Sequence, residues 1–405
     1  MERLTWIYQR ISAATVDKAT LTKLFSTFDL DAIRDRLTGA LFGDAYSFEM
    51  VFVDGGSTED SPELLERSHR RYGGALGGAG ITEAGRLQMK HLTRRGFMAS
   101  AAAAAITARA AGAKGSGKTK RKFTMALIGS AIGVKGSIRQ QLEWATKYGF
   151  ESIEPSLGDL RRMPTTAVYE FTAEMKERGL QWAVTGVPVN IREQSEDAFT
   201  AQLKGLEAAA KVWQSAGATR VKSAIMSFHQ DLNYLDNFRL HTDRIRRAAE
   251  VLNTHGLRFG LEYLASKLLW TLQRHPFVHT MAETRELIER TGADNVGLVL
   301  DSWHWYCSRE TEADILALSN KDVISCDLND APTGIAIDDQ VDSIRALPAT
   351  TGVIDVKTFL NALIQIGYDG SIMAEPFDNA LNALGNEEAL QRTAEAMKKT
   401  FALVE

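Results

Sequence analysis

The chain has 405 residues, 44% hydrophobic and 24% charged, which supplies a large core and is too long for one minimal domain. A formal net charge of −4 and a pI near 6.1 give no electrostatic footprint for DNA or RNA, so nucleic acid is not an expected partner. Two cysteines, Cys307 and Cys326, exclude a disulfide framework and a cysteine zinc cluster.

In chain order, residues 1–88 carry the run GGALGGAG and no sustained periodicity, and read as a non-domain extension preceding a start at Met89. A small helical extension within residues 16–39 is the alternative. Residues 89–113 place Arg94 and Arg95 before Phe97 and Met98, then an alanine-rich run and the small-residue sequence Ala111-Gly112-Ala113. That is the form of a twin-arginine export signal. Thr107 and Arg109 interrupt the apolar stretch, which is too short to span a bilayer, so cleavage rather than a stable membrane anchor is expected. The expected partner is then the twin-arginine export machinery and the expected location periplasmic, with the cytoplasm as the alternative. KGSGKTKRK, residues 114–122, reads as a linker.

From Phe123 onward short apolar runs alternate with longer amphipathic ones, the pattern of a parallel α/β fold. Eight strands are expected: Phe123 to Ile128, Ser152 to Glu154, Gln181 to Val187, Arg220 to Ile225, Arg258 to Tyr263, Val296 to Asp301, Val323 to Leu328 and Ser371 to Glu375. Helices are expected at Ile138 to Tyr148, Thr166 to Arg178, Ala201 to Ala216, Asp243 to His255 and Met281 to Thr291, from apolar residues at three-to-four spacing. Gly149, Gly179, Gly217, Gly256 and Gly367 stand where left-handed helix C-caps belong. Eight such units over residues 123–405 fit a (β/α)₈ TIM barrel. A doubly wound open sheet is the rival, but Gly129, Gly133 and Gly136 after the first strand match neither a dinucleotide nor a P-loop spacing.

Barrel enzymes carry their chemistry at the C-terminal strand ends, and acids stand there: Glu262, Asp301, Asp327 and Glu375 on the last four strands. Each lies among apolar neighbours, where an isolated charge is costly. Four converging carboxylates call for a cation, and oxygen ligands favour Mn²⁺ or Mg²⁺, with Co²⁺ or Zn²⁺ less suited. Taken singly, each acid also reads as a helix cap or a salt-bridge partner.

Residues 123–402 resemble the xylose isomerase-like TIM-barrel superfamily, in the sugar phosphate isomerase/epimerase group that includes D-tagatose 3-epimerase and inosose dehydratase. The resemblance is carried by GFESIEP (149–155), GLEYL (260–264), LVLDSWHW (298–305), LNDAPTG (328–334) and GVIDVKTFLNALIQIGYDGSIMAEPF (352–377). It implies metal ligation by Glu262, Asp301, Asp327 and Glu375, and acid–base roles for Glu262 and Glu375 in proton abstraction beside a carbonyl through an enediolate. Asp327 stands where such relatives carry histidine, with Asp330 as the alternative ligand. No arginine follows LNDAP closely, where epimerases of this group carry a substrate-contacting one.

Around this set, His304 is expected to hydrogen-bond a substrate oxygen and Glu154 to bind substrate hydroxyls. His229 is assigned to the mouth or to a loop, and Lys222 to the barrel interior or a pair with Glu262. Trp303, with Trp305, reads as an apolar wall for a sugar ring or as core. The expected function is therefore a metal-dependent keto-sugar isomerase or epimerase acting on a small-molecule sugar. Its rivals are a metal-dependent lyase or dehydratase on a keto-sugar or cyclitol, and a catalytically silent exported sugar-binding protein. A nuclease of the endonuclease IV type would need more histidines near the strand ends than His229 and His304. Self-association into a homo-oligomer is left open.

Overall fold

The computed structural model describes residues 120–405. The extension, the twin-arginine segment and most of the linker lie outside those residues. Arg121, within the stretch read as a linker, bonds Glu151 and Glu405 at 2.8 Å each.

Among the described residues eleven strands alternate with helices: β1 Thr124–Leu127, β2 Ser152–Ile153, β3 Gln181–Trp182, β4 Thr185–Gly186, β5 Arg220–Ile225, β6 Phe228–His229, β7 Arg258–Tyr263, β8 His275–Pro276, β9 Val296–Asp301, β10 Val323–Leu328 and β11 Ser371–Ala374. Nine form one parallel sheet in the order β3-β2-β1-β11-β10-β9-β7-β5-β4. Its two edges are the same piece of chain, since only Ala183 and Val184 separate β3 from β4. Ala183 N–H donates to Ile153 O at 2.8 Å on one side, and Val187 N–H to Lys222 O at 3.0 Å on the other. The sheet therefore closes on itself as the expected eight-stranded barrel, with β3 and β4 making one strand. β6 and β8 form a small antiparallel pair beyond the end of β5.

The major helices are α1 Ile138–Tyr148, α2 Leu157–Arg162, α3 Thr165–Glu177, α4 Glu196–Ala216, α5 Tyr234–Asn253, α6 Lys267–Trp270, α7 Met281–Thr291, α8 Ser302–Cys307, α9 Glu312–Leu316, α10 Val356–Gln365, α11 Asn379–Asn382 and α12 Asn386–Phe401. α4 and α5 begin earlier than the apolar spacing indicates. Ser195 and Asn233 cap them by accepting from Ala198 N–H and Asp236 N–H, and α4 opens on the acidic pair Glu196 and Asp197. The C-cap glycines hold positive φ, between 69° and 76° at Gly149, Gly179, Gly217, Gly256 and Gly367.

Side chains alternate across each strand, so Lys222, Gly260, Glu262, Gly297, Val299 and Asp301 share one side of the sheet, the barrel interior. Two glycines there are fixed by space. A Cβ on Gly260 would stand 2.8 Å from Val299 Cγ2 and 3.0 Å from Ile324 Cβ, and one on Gly297 would meet Asp322 O at 2.7 Å. A register shift between Val323 and Ser325 accompanies the inward turn of Ile324. Outside the barrel, Trp213, Phe171, Phe199, Phe259 and Phe359 are fully enclosed between helices and sheet.

Candidate active site

Glu262 is the fifth residue of β7, Asp301 ends β9, Asp327 lies in β10 level with Asp301, and Glu375 directly follows β11. The strand register thus raises all four acids to one end of the barrel. Each offers a carboxylate oxygen within 4.8 Å of the others. Asp301 and Asp327 are fully buried and Glu262 is 6% exposed.

Two cations stand among them. Lys222, on β5, lies level with Gly260, which is level in turn with Gly297, and neither glycine carries a side chain to bar its path. Its Nζ meets Asp327 Oδ2 at 2.5 Å and Glu375 Oε1 at 3.9 Å. Asp327, not Glu262, is the partner of Lys222. Arg345 comes from the long loop after β10, the same connection that begins with LNDAP. Its Nη1 donates to Asp301 Oδ2 at 2.7 Å and Glu375 Oε2 at 3.3 Å, and its Nη2 to Asp342 Oδ1 at 3.0 Å. Trp303 and Phe377 flank the guanidinium, with centroids at 4.8 and 4.6 Å. Phe377 holds a φ of 43°.

The four acids are not equivalent. Asp301 caps α8 through Oδ1, which accepts from Trp303 N–H at 2.6 Å and His304 N–H at 3.1 Å. Its Oδ2 accepts from Asn329 Nδ2 at 2.9 Å as well as from Arg345. Its acceptor capacity is filled. Burial alone would push its pKa up, but the Arg345 charge and the hydrogen bonds to the α8 N-terminus outweigh that and hold it below the usual aspartate value. Glu262 Oε1 and Asp327 Oδ1, by contrast, are buried with no hydrogen-bond partner. Burial, reinforced by Glu375, pushes Glu262 well above the ordinary carboxylate range. Burial likewise lifts Asp327 against the opposing pull of Lys222, and lifts Glu375 to about 7. Lys222 is raised as well, which for an ammonium means the charged form is favoured: burial works against it, and the carboxylates of Asp327, Glu375 and Glu262 outweigh that burial.

A divalent cation fits this chemistry at Glu262, Asp327 and Glu375, where two buried oxygens lack partners and hard donors predominate. At Asp301 the fit requires Arg345 or Asn329 to give way. Asp330 is excluded from this set by its own bonds: its carboxylate accepts from Ala331, Thr351, Gly352 and Ile354 N–H at 2.8–3.0 Å and ties the loop together.

The remaining expected residues fall around this centre. His304 is fully buried, its Nδ1 accepting from Ala265 N–H at 3.1 Å and its Nε2 3.2 Å from Arg345 Nη2 and 3.7 Å from Glu262 Oε1. Burial lowers its pKa to about 4, so it is neutral at pH 7. Glu154 accepts from Thr185 Oγ1 at 2.8 Å, and burial raises its pKa. His229 uses Nδ1 to accept from Asp231 and Leu232 N–H at 3.0 and 2.9 Å, which fixes the turn after β6. Trp303 is fully enclosed against Arg345. Sequence reasoning missed Arg345 and Asn329. Asn329 is adjacent to the strand end within LNDAP, whereas Arg345 lies in an irregular loop with no periodic signal.

A closed eight-stranded parallel barrel with acids at the C-terminal strand ends defines an α/β barrel whose mouth is built for carboxylate chemistry. The chain belongs to the Xylose isomerase-like TIM barrel family, whose pattern matches residues 142–400. Among characterised relatives it is 27% identical over 164 residues to inosose isomerase of Halalkalibacterium halodurans, covering 38% of this chain and 53% of that one. It is 30% identical over 146 residues to 3-dehydroshikimate dehydratase of Pseudomonas aeruginosa, covering 36% and 22%. In these alignments the chain spans about half, or less, of the relatives' own length. Of solved structures, a xylose isomerase domain protein from Alicyclobacillus acidocaldarius superposes with a TM-score of 0.61 at 29% identity, covering 70% of this chain and 99% of that one. The IOLI protein with a binding zinc atom superposes at 0.59 with 18% identity, covering 70% and 99%.

Proposed function

We propose that this protein is a sugar isomerase or epimerase that moves a proton beside a carbonyl, with Glu262 and Glu375 as acid and base. The observation that carries this reading is the pair itself: two carboxylates at one barrel mouth, both pushed upward in pKa by burial, Glu375 to about 7. A group poised near neutrality is an efficient base at neutral pH, and its protonated neighbour is an acid ready to donate. Glu375 takes the proton from the carbon and Glu262 returns one from the other side, inverting or relocating the centre. Lys222 and Arg345 supply fixed positive charge toward an oxygen anion developing between them.

A divalent ion held by Glu262, Asp327 and Glu375, with Asp301 as fourth ligand once Arg345 shifts, would polarise the carbonyl and acidify the adjacent C–H. Mn²⁺ or Mg²⁺ suits the all-oxygen donors; the zinc in the IOLI structure supports a divalent ion in this fold. His304 and Glu154 line the substrate's polar side, His229 stands further out after β6, and Trp303 acts through Arg345. The inosose isomerase relatives support a polyhydroxylated ketone as substrate. The dehydratase relative favours a second reading, loss of water next to a carbonyl, which uses the same proton abstraction. The twin-arginine segment at 89–113 supports export, and with it an unphosphorylated sugar.

The experiment is solvent-deuterium exchange by the full chain, with and without Mn²⁺, into a panel of ketoses and inososes. Exchange at the carbon beside the carbonyl is expected, with a dehydrated product identifying the second reading. Absence of exchange and of product across the panel in both conditions would sink the proposal.

A further inference from the structure

Asp327 is a fully buried member of a four-carboxylate set, and Lys222 is bonded to it at 2.5 Å. A fourth carboxylate adds a negative charge to a buried cluster, at a steep electrostatic cost. The Lys222 ammonium cancels it. The Lys222–Asp327 pair is therefore the electrostatic equivalent of a neutral ligand, and it leaves Asp327 Oδ1 buried without a partner while Oδ2 is held.

We infer that Lys222 is the charge-setting residue of this site: it shares Asp327 with an incoming divalent ion and limits the affinity for that ion. The inference rests on the reading of Glu262, Asp327 and Glu375 as ion ligands. Three features build it into the fold. Lys222 is carried on a different strand from every acid, so its reach across the barrel depends on Gly260 and Gly297 at its level. Its Nζ also lies 3.9 Å from Glu375 Oε1, so the same charge faces a second ligand. Its Nζ also lies 3.9 Å from Met373 Sδ, a thioether that offers an ammonium no competing anchor. Lys222 is thus a positioning residue acting through Asp327 rather than a group that transfers protons.

The test is calorimetric titration of the chelator-stripped full chain with Mn²⁺ alone, for wild type, Lys222→Met, Asp327→His and Lys222→Met/Asp327→His. Removing an ammonium beside the ion should tighten Mn²⁺ binding at least about tenfold in Lys222→Met. Asp327→His alone keeps the lysine without its counter-charge and should weaken binding by a similar factor. The double variant buries no unpaired charge from either residue and should return to within a few-fold of wild type. Circular dichroism confirms folding, and if Lys222→Met fails to fold, the contrast between Asp327→His and the double variant carries the test. Equal affinities for those two, or binding by Lys222→Met no tighter than wild type, would overturn the inference while leaving the ion site standing. Lack of Mn²⁺ binding by all four proteins would overturn the ion site and the inference together.

Discussion

Arg345 and Asp301 are 44 residues apart in the chain, yet Nη1 of one lies 2.7 Å from Oδ2 of the other, and both side chains are essentially inaccessible to water. This pair joins a loop to the end of β9 and ties the site's architecture to its charge balance. Truncating Arg345 to Met leaves Asp301 with a buried charge lacking its cation. A loss of about 3–5 kcal/mol in unfolding free energy is expected, read by urea denaturation. Lys at this position should recover only part of it, because Nη1 meets Asp301 and Glu375 while Nη2 of the same planar fork meets Asp342, and one ammonium cannot reproduce that spread.

Glu375→Gln is close to isosteric and abolishes the base. Solvent-deuterium exchange into a turned-over ketose should fall by about 10²–10⁴ while the thermal midpoint is retained or raised, since a repelling carboxylate has been neutralised. An exchange rate within a few-fold of wild type would assign the base elsewhere.

Asp330→Asn and Asp327→Asn separate a loop anchor from a ligand. Asp330 holds four backbone N–H groups, and weakening one carboxylate oxygen should cost about 1–3 kcal/mol with Mn²⁺ content unchanged. Asp327→Asn should lower Mn²⁺ content by elemental analysis.

Gly260→Ala places a methyl 2.8 Å from Val299 Cγ2 in the barrel interior. About 1–3 kcal/mol of destabilisation is expected from this overpacking, with a paired gain in Mn²⁺ affinity, because a methyl level with Lys222 disfavours its reach to Asp327. Chemical denaturation and titration on the same sample check both.

His241 gives a pH dependence independent of the site. It is fully buried on α5 against Phe277, Nδ1 facing Asn237 O at 2.9 Å, and burial lowers its pKa to about 4. The unfolded chain takes up this proton near pH 6.5 and the native state only near 4. The stability contribution is thus complete above pH 6.5 and lost as pH falls toward 4, by up to about 3 kcal/mol. His241→Phe should remove this part of the acid slope in denaturation curves between pH 7 and 4.

The barrel was legible because parallel strands buried on both faces leave apolar runs of fixed length, and β5, β7, β9 and β10 match their expected bounds residue for residue. The acids were legible because each ends or adjoins such a run. What escaped was everything set by irregular chain. Arg345 has no periodic context, the loop-organising bonds of Asp330 and His229 are to backbone groups that leave no trace in side-chain pattern, and the partner of Lys222 depends on which neighbours are glycine.

The stretch that closes the barrel also decides how it opens. β3 and β4 contribute two residues each to their ladders, whereas β5 and β7 are paired along six. Amide hydrogens around 181–187 should therefore exchange with solvent well before those of 258–263. An opening at this short seam would lie on the side of the barrel away from the acids, so breathing there would admit water beneath β3 while β7, β9, β10 and β11 keep the four carboxylates in register.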